Sequence, residues 1–384
     1  MISWSKLLTG QIEDGDNLRY SSVANHIPRI VVWNSTSTCN LKCRHCYFDA
    51  DLEIESPELT KLEAENFITD LSQLKVPVLI FSGGEPLLKK NIFELGKFAK
   101  DKGIRAVLST NGTLISEEVA KKIKQAGFSY VGISLDGTKK TNDRFRQTSG
   151  AFGAAVSGIK NCQSQGLKVG LRLTLTKYNF SDLPQIFDLV EKESIPRMCI
   201  YHLVYSGRAS DLKTKDLSHK QRRQVLELIW TKTREFSQKK LKVEILTVDN
   251  HADGVWIYLK LKSKDPVRAK KVLGLLKRQG GNSSGSKVAS VDNQGNVYPD
   301  QFWRSHRLGN IRTRNFSDIW QDKKNTFLAD LRNRKALLKG RCKICNFQAI
   351  CNGNFRARAE SSFADIWAPD PACYLSQGEI YAGN

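Results

Sequence analysis

"TCNLKCRHCYF", residues 38–48, sets Cys39, Cys43 and Cys46 within eight positions, directly after the apolar run "IVVWN" (30–34). Three thiolates at C-x3-C-x2-C hold three corners of a four-iron cluster and leave one iron without a protein ligand, an open position where a substrate or cofactor binds. A zinc site made of these cysteines and His45 is the alternative reading. It suffers because His45 adjoins Cys46 and reaches the same ion poorly.

Outward from that loop, short apolar runs recur: "VPVLIFSGG" (76–84), "IRAVLST" (104–110), "YVGISLDG" (130–137), "KVGLRLTLT" (168–176) and "MCIYHLVYS" (198–206). Strands of a parallel sheet are covered on both faces and need not alternate, so six such runs predict six βα units. Helix signals fall between them. Thr60 with Glu63 forms a capping box ahead of Ala64, Phe67, Ile68 and Leu71. Ser116 caps a helix with Glu117 and Glu118 in its first turn, and Gly127 ends it. Ser181 opens another, with Leu183, Ile186, Phe187 and Val190 inward. This repetition means a barrel or a doubly wound sheet. Beyond about residue 210 the pattern changes to a long helix, "DLSHKQRRQVLELIWTKTREFSQ" (216–238), then the basic "LKLKSKDPVRAKKVLGLLKR" (259–278) and the glycine-rich "GGNSSG" (280–285). "KVASVDNQGNVYPD" (287–300) reads as a hairpin turning at Asn293, Gly295 and Asn296.

At 384 residues the chain buries a full core. No run of about 20 apolar residues is present, and the N-terminal residues are too polar and acidic for a secretory signal, so the expectation is a cytoplasmic protein with no membrane partner. Nine cysteines then point to metal or redox chemistry rather than disulfides. Cys162 and Cys199 stand alone and read as small buried side chains. The formal charge of +21 predicts attraction for something anionic: nucleic acid, an acidic protein or a polycarboxylate. No nucleic-acid-binding signature accompanies it, and a solvated basic surface is the plainer explanation.

With its cysteine loop, "FSGGEPLL" (81–88), "STNGT" (109–113) and "ISLDG" (133–137), the chain resembles the radical S-adenosylmethionine (SAM) enzymes. The resemblance implies a partial (β/α)6 TIM-like barrel, a 4Fe-4S cluster on Cys39, Cys43 and Cys46, and SAM chelating the open iron. It places Gly83, Gly84 and Glu85 at the methionyl amino group, Ser134 and Asp136 at the ribose, Arg172 at the SAM carboxylate and Asn111 beside them. For Asn111 and Gly112 a simple turn, and for Arg172 a structural ion pair, are competing readings. The implied chemistry is one-electron cleavage of SAM to methionine and a 5'-deoxyadenosyl radical that takes hydrogen from unactivated carbon. No catalytic residue beyond the cluster and the SAM site is implied.

The second cysteine group, "RCKICNFQAICNGN" (341–354) with "DPACYL" (370–375), spaces Cys342, Cys345, Cys351 and Cys373 as C-x2-C-x5-C-x21-C. Four thiolates suit a saturated 4Fe-4S cluster or zinc. The hairpin and "LGNI" with "FSDIW" resemble SPASM/twitch C-terminal extensions. Where that pattern carries G-x4-C, Gly295 is followed by Asp300, and Phe355 stands four residues after Cys351. One auxiliary cluster is therefore expected, and two clusters in all. The expected layout is a 1–29 extension, a 30–215 barrel core, a 216–285 helical, basic connecting region and a 286–384 auxiliary cluster domain.

"LVYSGRA" (203–209), "GGNSSG" (280–285), "VYPDQFWRSHRLGNIR" (297–312), "CNGNFRARAE" (351–360) and "WAPDPACYL" (367–375) resemble the modified-haem branch of the family, with "QAICNGN" (348–354) and "WRSHRLGN" (303–310) looking most like the NirJ proteins of haem d1 biosynthesis. That implies an anionic tetrapyrrole substrate, 12,18-didecarboxysirohaem, whose ring A and B propionates are removed or converted. Arg208, His306, Arg307, Arg356 and Arg358 become candidates for its carboxylates. Removal of acetates by a didecarboxysirohaem deacetylase, a peptide maturase, and a zinc-containing nucleic-acid-binding protein are the alternatives; the 38 residues before Cys39 are short for a peptide-recognition domain. A flavodoxin or ferredoxin donor suits the basic surface, and a monomer or weak oligomer is expected.

Overall fold

The computed structural model describes residues 1–10, 16–20, 27–52 and 57–382. Its strands are β1 (Ile2–Ser3), β2 (Ile30–Asn34), β3 (Val78–Ser82), β4 (Arg105–Thr110), β5 (Tyr130–Ser134), β6 (Val169–Leu175), β7 (Arg197–His202), β8 (Glu244–Val248), β9 (Val288–Val291), β10 (Asn296–Tyr298) and β11 (Gly309–Asn310). They form one sheet in the order β1-β8-β7-β6-β5-β4-β3-β2-β9-β10-β11. From β2 to β8 every neighbouring pair is parallel. A doubly wound sheet reverses its strand order at a switch point. Here the order runs without reversal and the sheet does not close, which is a partial barrel.

The two faces of the sheet differ in chemistry. Val31, Trp33, Leu79, Phe81, Leu108, Val131 and Leu171 are wholly buried on the outer face, where Trp33 packs edge-on against Phe67 of the helix Lys61–Gln73 at 5.9 Å. On the other face the register aligns Asn34 with Ser82, Ser134 with Arg172, and Arg172 with Cys199. Those residues are polar or small, so the inner face is a place for ligands rather than a second hydrophobic core.

The expected Thr60–Glu63 capping box and the Ser116 cap are present. Ser181 does not cap: it lies inside the turn Phe180–Asp182, and Pro184 starts the helix Leu183–Lys192, whose Leu183, Ile186, Phe187 and Val190 are buried. The 216–285 stretch contributes more than helices. Its segment "EILTV" is β8, which pairs with β7. Residues of the 1–29 stretch add an antiparallel edge to it, Ile2 opposite Thr247, and Trp4 Nε1 donates to Thr247 Oγ1 at 3.0 Å. At the opposite edge β9 runs parallel to β2, and β9 and β10 form the hairpin foreseen around Gly295, whose φ is +86°.

The C-terminal residues are fastened to the barrel by a buried ion pair. Arg358, fully buried, meets Asp370 at 2.8 and 2.9 Å and donates to the Leu203 and Asp249 carbonyls at the ends of β7 and β8, each at 2.6 Å. Removing one member of such a pair leaves an uncompensated buried charge. Arg358→Met is expected to lower unfolding stability by about 3–5 kcal/mol in urea titrations; a loss below about 1 kcal/mol would contradict this fastening role.

Candidate functional site

The cysteine loop springs from the C-terminal end of β2, and neighbouring strand ends hold it from several sides. Gly84 N–H donates to Thr36 O at 2.7 Å and Glu85 N–H to Thr38 O at 2.8 Å. A Cβ at Gly84 would lie 2.1 Å from Thr38 O, and one at Gly83 2.5 Å from Thr36 O, so both glycines are demanded by the closeness of the two loops. From β7's loop, Arg208 donates Nε to Cys43 O at 3.0 Å and Nη2 to Ala50 O at 3.1 Å, while its own N–H meets Asp49 Oδ1 at 2.7 Å. From the helix Lys139–Arg146, Phe145 stacks on His45 at 4.4 Å and Arg146 Nη1 approaches Cys43 Sγ at 3.5 Å. Asp136 clamps Arg146 in turn, takes an N–H from Thr174 at 2.7 Å and stands 3.3 Å from His45 Nε2. Burial pushes the His45 pKa down to about 4, so its ring is neutral.

Cys39 and Cys43 pack with Leu41, Phe48 and Ala50 into one apolar cluster against which Cys46 lies. Burial pushes the Cys39 thiol up to about 12 and raises Cys43 as well. Among the described residues no three His, Cys, Asp or Glu side chains converge as one ion would require. A four-iron cluster makes no such demand, because each thiolate ligates a different iron. The donor set, three thiols on one shielded loop, fits it.

The residues expected around SAM divide into two kinds. Glu85 is fully buried and accepts from Thr110 Oγ1 (2.7 Å), Asn111 N–H (2.8 Å) and Leu87 N–H (3.1 Å). The Asn111 side chain is engaged with Asn40 and Thr113 at 2.9 Å. With Asp136 they act as struts between strand ends, and their lone pairs are largely spent on the chain itself. Arg172 differs: it touches Ser109, its Nε is sealed from solvent without a partner, and no carboxylate lies within ion-pair distance of it among the described residues. Gly132 makes its room, since a Cβ there would lie 2.3 Å from Nε. Ser134 sits beside it in register, half-buried. A half-buried guanidinium with no carboxylate partner has the chemistry to suit a carboxylate such as that of SAM.

The other cysteines come together as expected. Cys342, Cys345, Cys351 and Cys373 line a single cavity with Phe347, Leu375 and Ile380. Burial raises all four thiols, Cys373 to about 11 and Cys351 furthest. Thiols so shielded must shed protons to bind metal, which couples loading to pH.

The five residues expected at the substrate lie in different surroundings. Arg356 and Arg358 are fully buried; Arg356 donates to the Ile366 and Ala368 carbonyls at 2.9 and 2.6 Å, and Arg358 is taken by Asp370. The Arg358 charge is matched within the chain by Asp370, whereas Arg356 is held by carbonyl oxygens alone. Arg208 is committed to the cysteine loop as above. His306 bonds Glu360 Oε1 at 2.7 Å and stacks on Phe327, and Arg307 is exposed. A cavity of about 390 Å³ opens instead beside Asp49, Tyr205, Ser206, Phe302, Trp303 and Arg304, between the cysteine loop and the C-terminal residues. In the sequence, the signal for this cavity is the aromatic pair next to a basic residue in "QFWRS" (301–305).

Burial pushes the Glu85 carboxyl up to about 7. A raised carboxyl pKa contributes stability that is fully present below about pH 4.5 and is lost as pH rises through 7. The native chain is therefore expected to lose on the order of 3 kcal/mol between pH 4.5 and 7.5 that Glu85→Gln does not lose. Parallel urea-derived stability profiles for the two would contradict that burial.

Residues 33–190 match the Radical SAM superfamily and residues 283–346 the SPASM iron-sulfur cluster-binding domain. The chain is 49% identical to Fe-coproporphyrin III synthase of Methanosarcina barkeri, covering 99% of both chains, and 41% identical to pre-heme d1 synthase of Dinoroseobacter shibae, covering 93% of this chain and 89% of that one. In fold it is similar to anSMEcpe solved with bound AdoMet, at TM-score 0.69 and 21% identity over 92% of this chain and 96% of that one. No helix among the described residues is long and apolar enough to cross a membrane. A cysteine loop at the mouth of an open parallel barrel, a half-buried guanidinium on its strands and a four-cysteine cavity beyond it thus belong to a radical SAM enzyme of haem biosynthesis, which uses SAM, a 4Fe-4S cluster and a SPASM iron-sulfur cluster.

Proposed function

We propose that this enzyme removes acetate side chains from 12,18-didecarboxysirohaem to give Fe-coproporphyrin III. The observation that carries the reading is the ranking of the two relatives: 49% identity over 99% of the chain to the Fe-coproporphyrin III synthase against 41% over 93% to the pre-heme d1 synthase. The haem d1 reaction on the propionates, which the sequence strings favoured, becomes the second reading and rests on the latter relative.

Cys39, Cys43 and Cys46 would hold the 4Fe-4S cluster, which together with SAM would supply the one-electron, hydrogen-abstracting chemistry. The chain's own part is to hold and shield. Arg172 binds the SAM carboxylate, with Gly132 leaving it room. Arg146, fixed by Asp136, offsets negative charge at Cys43. Cys342, Cys345, Cys351 and Cys373 hold the auxiliary cluster. A flavodoxin or ferredoxin suits the net charge of +21 as electron donor.

Anaerobic reconstitution followed by SAM, reductant and didecarboxysirohaem is the deciding assay. Loss of acetate mass supports the proposal; loss of propionate mass transfers it to the haem d1 reading; absence of deoxyadenosine with either outcome of iron analysis rejects both. In the same assay Cys39→Ala is expected to drop iron from about eight to about four per chain and to abolish deoxyadenosine, whereas Cys351→Ala should lower iron with the SAM-site cluster retained.

A further inference from the structure

The cavity of about 390 Å³ lies beside the cysteine loop, lined by Asp49 next to that loop and by Phe302, Trp303 and Arg304 from the C-terminal residues. It is joined to the loop behind Cys46: Ser206 Oγ donates to Tyr47 O at 3.4 Å, and the Tyr47 ring meets Phe302 edge-on at 5.1 Å. Its volume is that of a small-molecule site, and its flat aromatic wall suits a macrocycle edge.

The charged groups on its walls differ in how much bonding capacity they retain. Glu360 is taken up by His306 Nε2, with Trp303 Nε1 also donating to it. Asp49 Oδ1 accepts from the Arg208 N–H at 2.7 Å. Arg304 carries five N–H donors, of which one reaches Phe48 O at 3.2 Å; its other charged neighbour, Asp49 Oδ2, stands 3.9 Å off. The Phe48 ring lies against the guanidinium, 4.7 Å from centroid to Cζ, a cation–π contact that uses none of the N–H donors. A planar fork with unused donors at the cavity wall is suited to a carboxylate in bidentate geometry.

We infer that Arg304 is the anchor for a side-chain carboxylate of the tetrapyrrole, seated in the cavity between the cysteine loop and residues 302–305. This assignment rests on the tetrapyrrole reading above. Arg304 is a binding and positioning residue: it selects a carboxylate-bearing macrocycle and sets which edge of it faces the barrel.

Fe-coproporphyrin III and its tetramethyl ester, titrated into the cluster-loaded enzyme and followed at the Soret band, test it. Arg304→Gln should weaken binding of the acid by about tenfold or more, Arg304→Lys should recover part of that loss, and the ester should bind all three proteins alike. Iron content near that of the unaltered enzyme shows that the loop under Phe48 is intact. Equal binding of the acid by Arg304→Gln and the unaltered enzyme overturns the Arg304 assignment alone, as does an equal loss for acid and ester, which marks a packing role. Failure of the unaltered enzyme to bind the acid overturns the tetrapyrrole reading and this assignment with it.

Discussion

The cysteine loop depends on one buried cation. Cys43 lies buried in the loop, and Arg146 is the positive group whose guanidinium faces its sulfur. A lone buried guanidinium would itself be costly, and Asp136 at the end of β5 meets that cost while also receiving the Thr174 N–H from β6. The strand ends, the helix Lys139–Arg146 and the loop are therefore arranged around a single chain of charges. Phe145, next to Arg146, sets the His45 ring by stacking, so the same helix also fixes the loop's middle.

That dependence explains why motif and side-chain role part company. The cysteine spacings, the Thr60 capping box and the apolar strands were legible because they are local: each is a short pattern whose physical cause lies within a few residues. The motifs place Glu85, Asn111 and Asp136 at the SAM site, and in the structure their oxygens also accept from neighbouring backbone and side chains. A motif locates a residue at the mouth of the barrel; which lone pairs remain free there is decided by partners 25 to 71 residues away, out of view of any short pattern. Arg172 escaped this fate because β5 presents glycine to it rather than a carboxylate.

The same distance effect hid β8 and the Arg358–Asp370 pair. "EILTV" is five residues amid lysines, and it becomes a strand because β7 and residues 2–3 cover its two edges. Arg356 and Arg358 look in sequence like exposed basic residues on a helix. Their burial follows from the return of the chain at residues 366–370, which brings carbonyls and a carboxylate over them.

β9 lies parallel to β2, the strand that feeds the cysteine loop, and four aligned residue pairs join them. The two halves of the molecule consequently share one continuous hydrogen-bonded sheet. Swinging the β9–β10 hairpin away from the barrel would break that ladder, so the hairpin moves as one piece with the strand that feeds the cysteine loop.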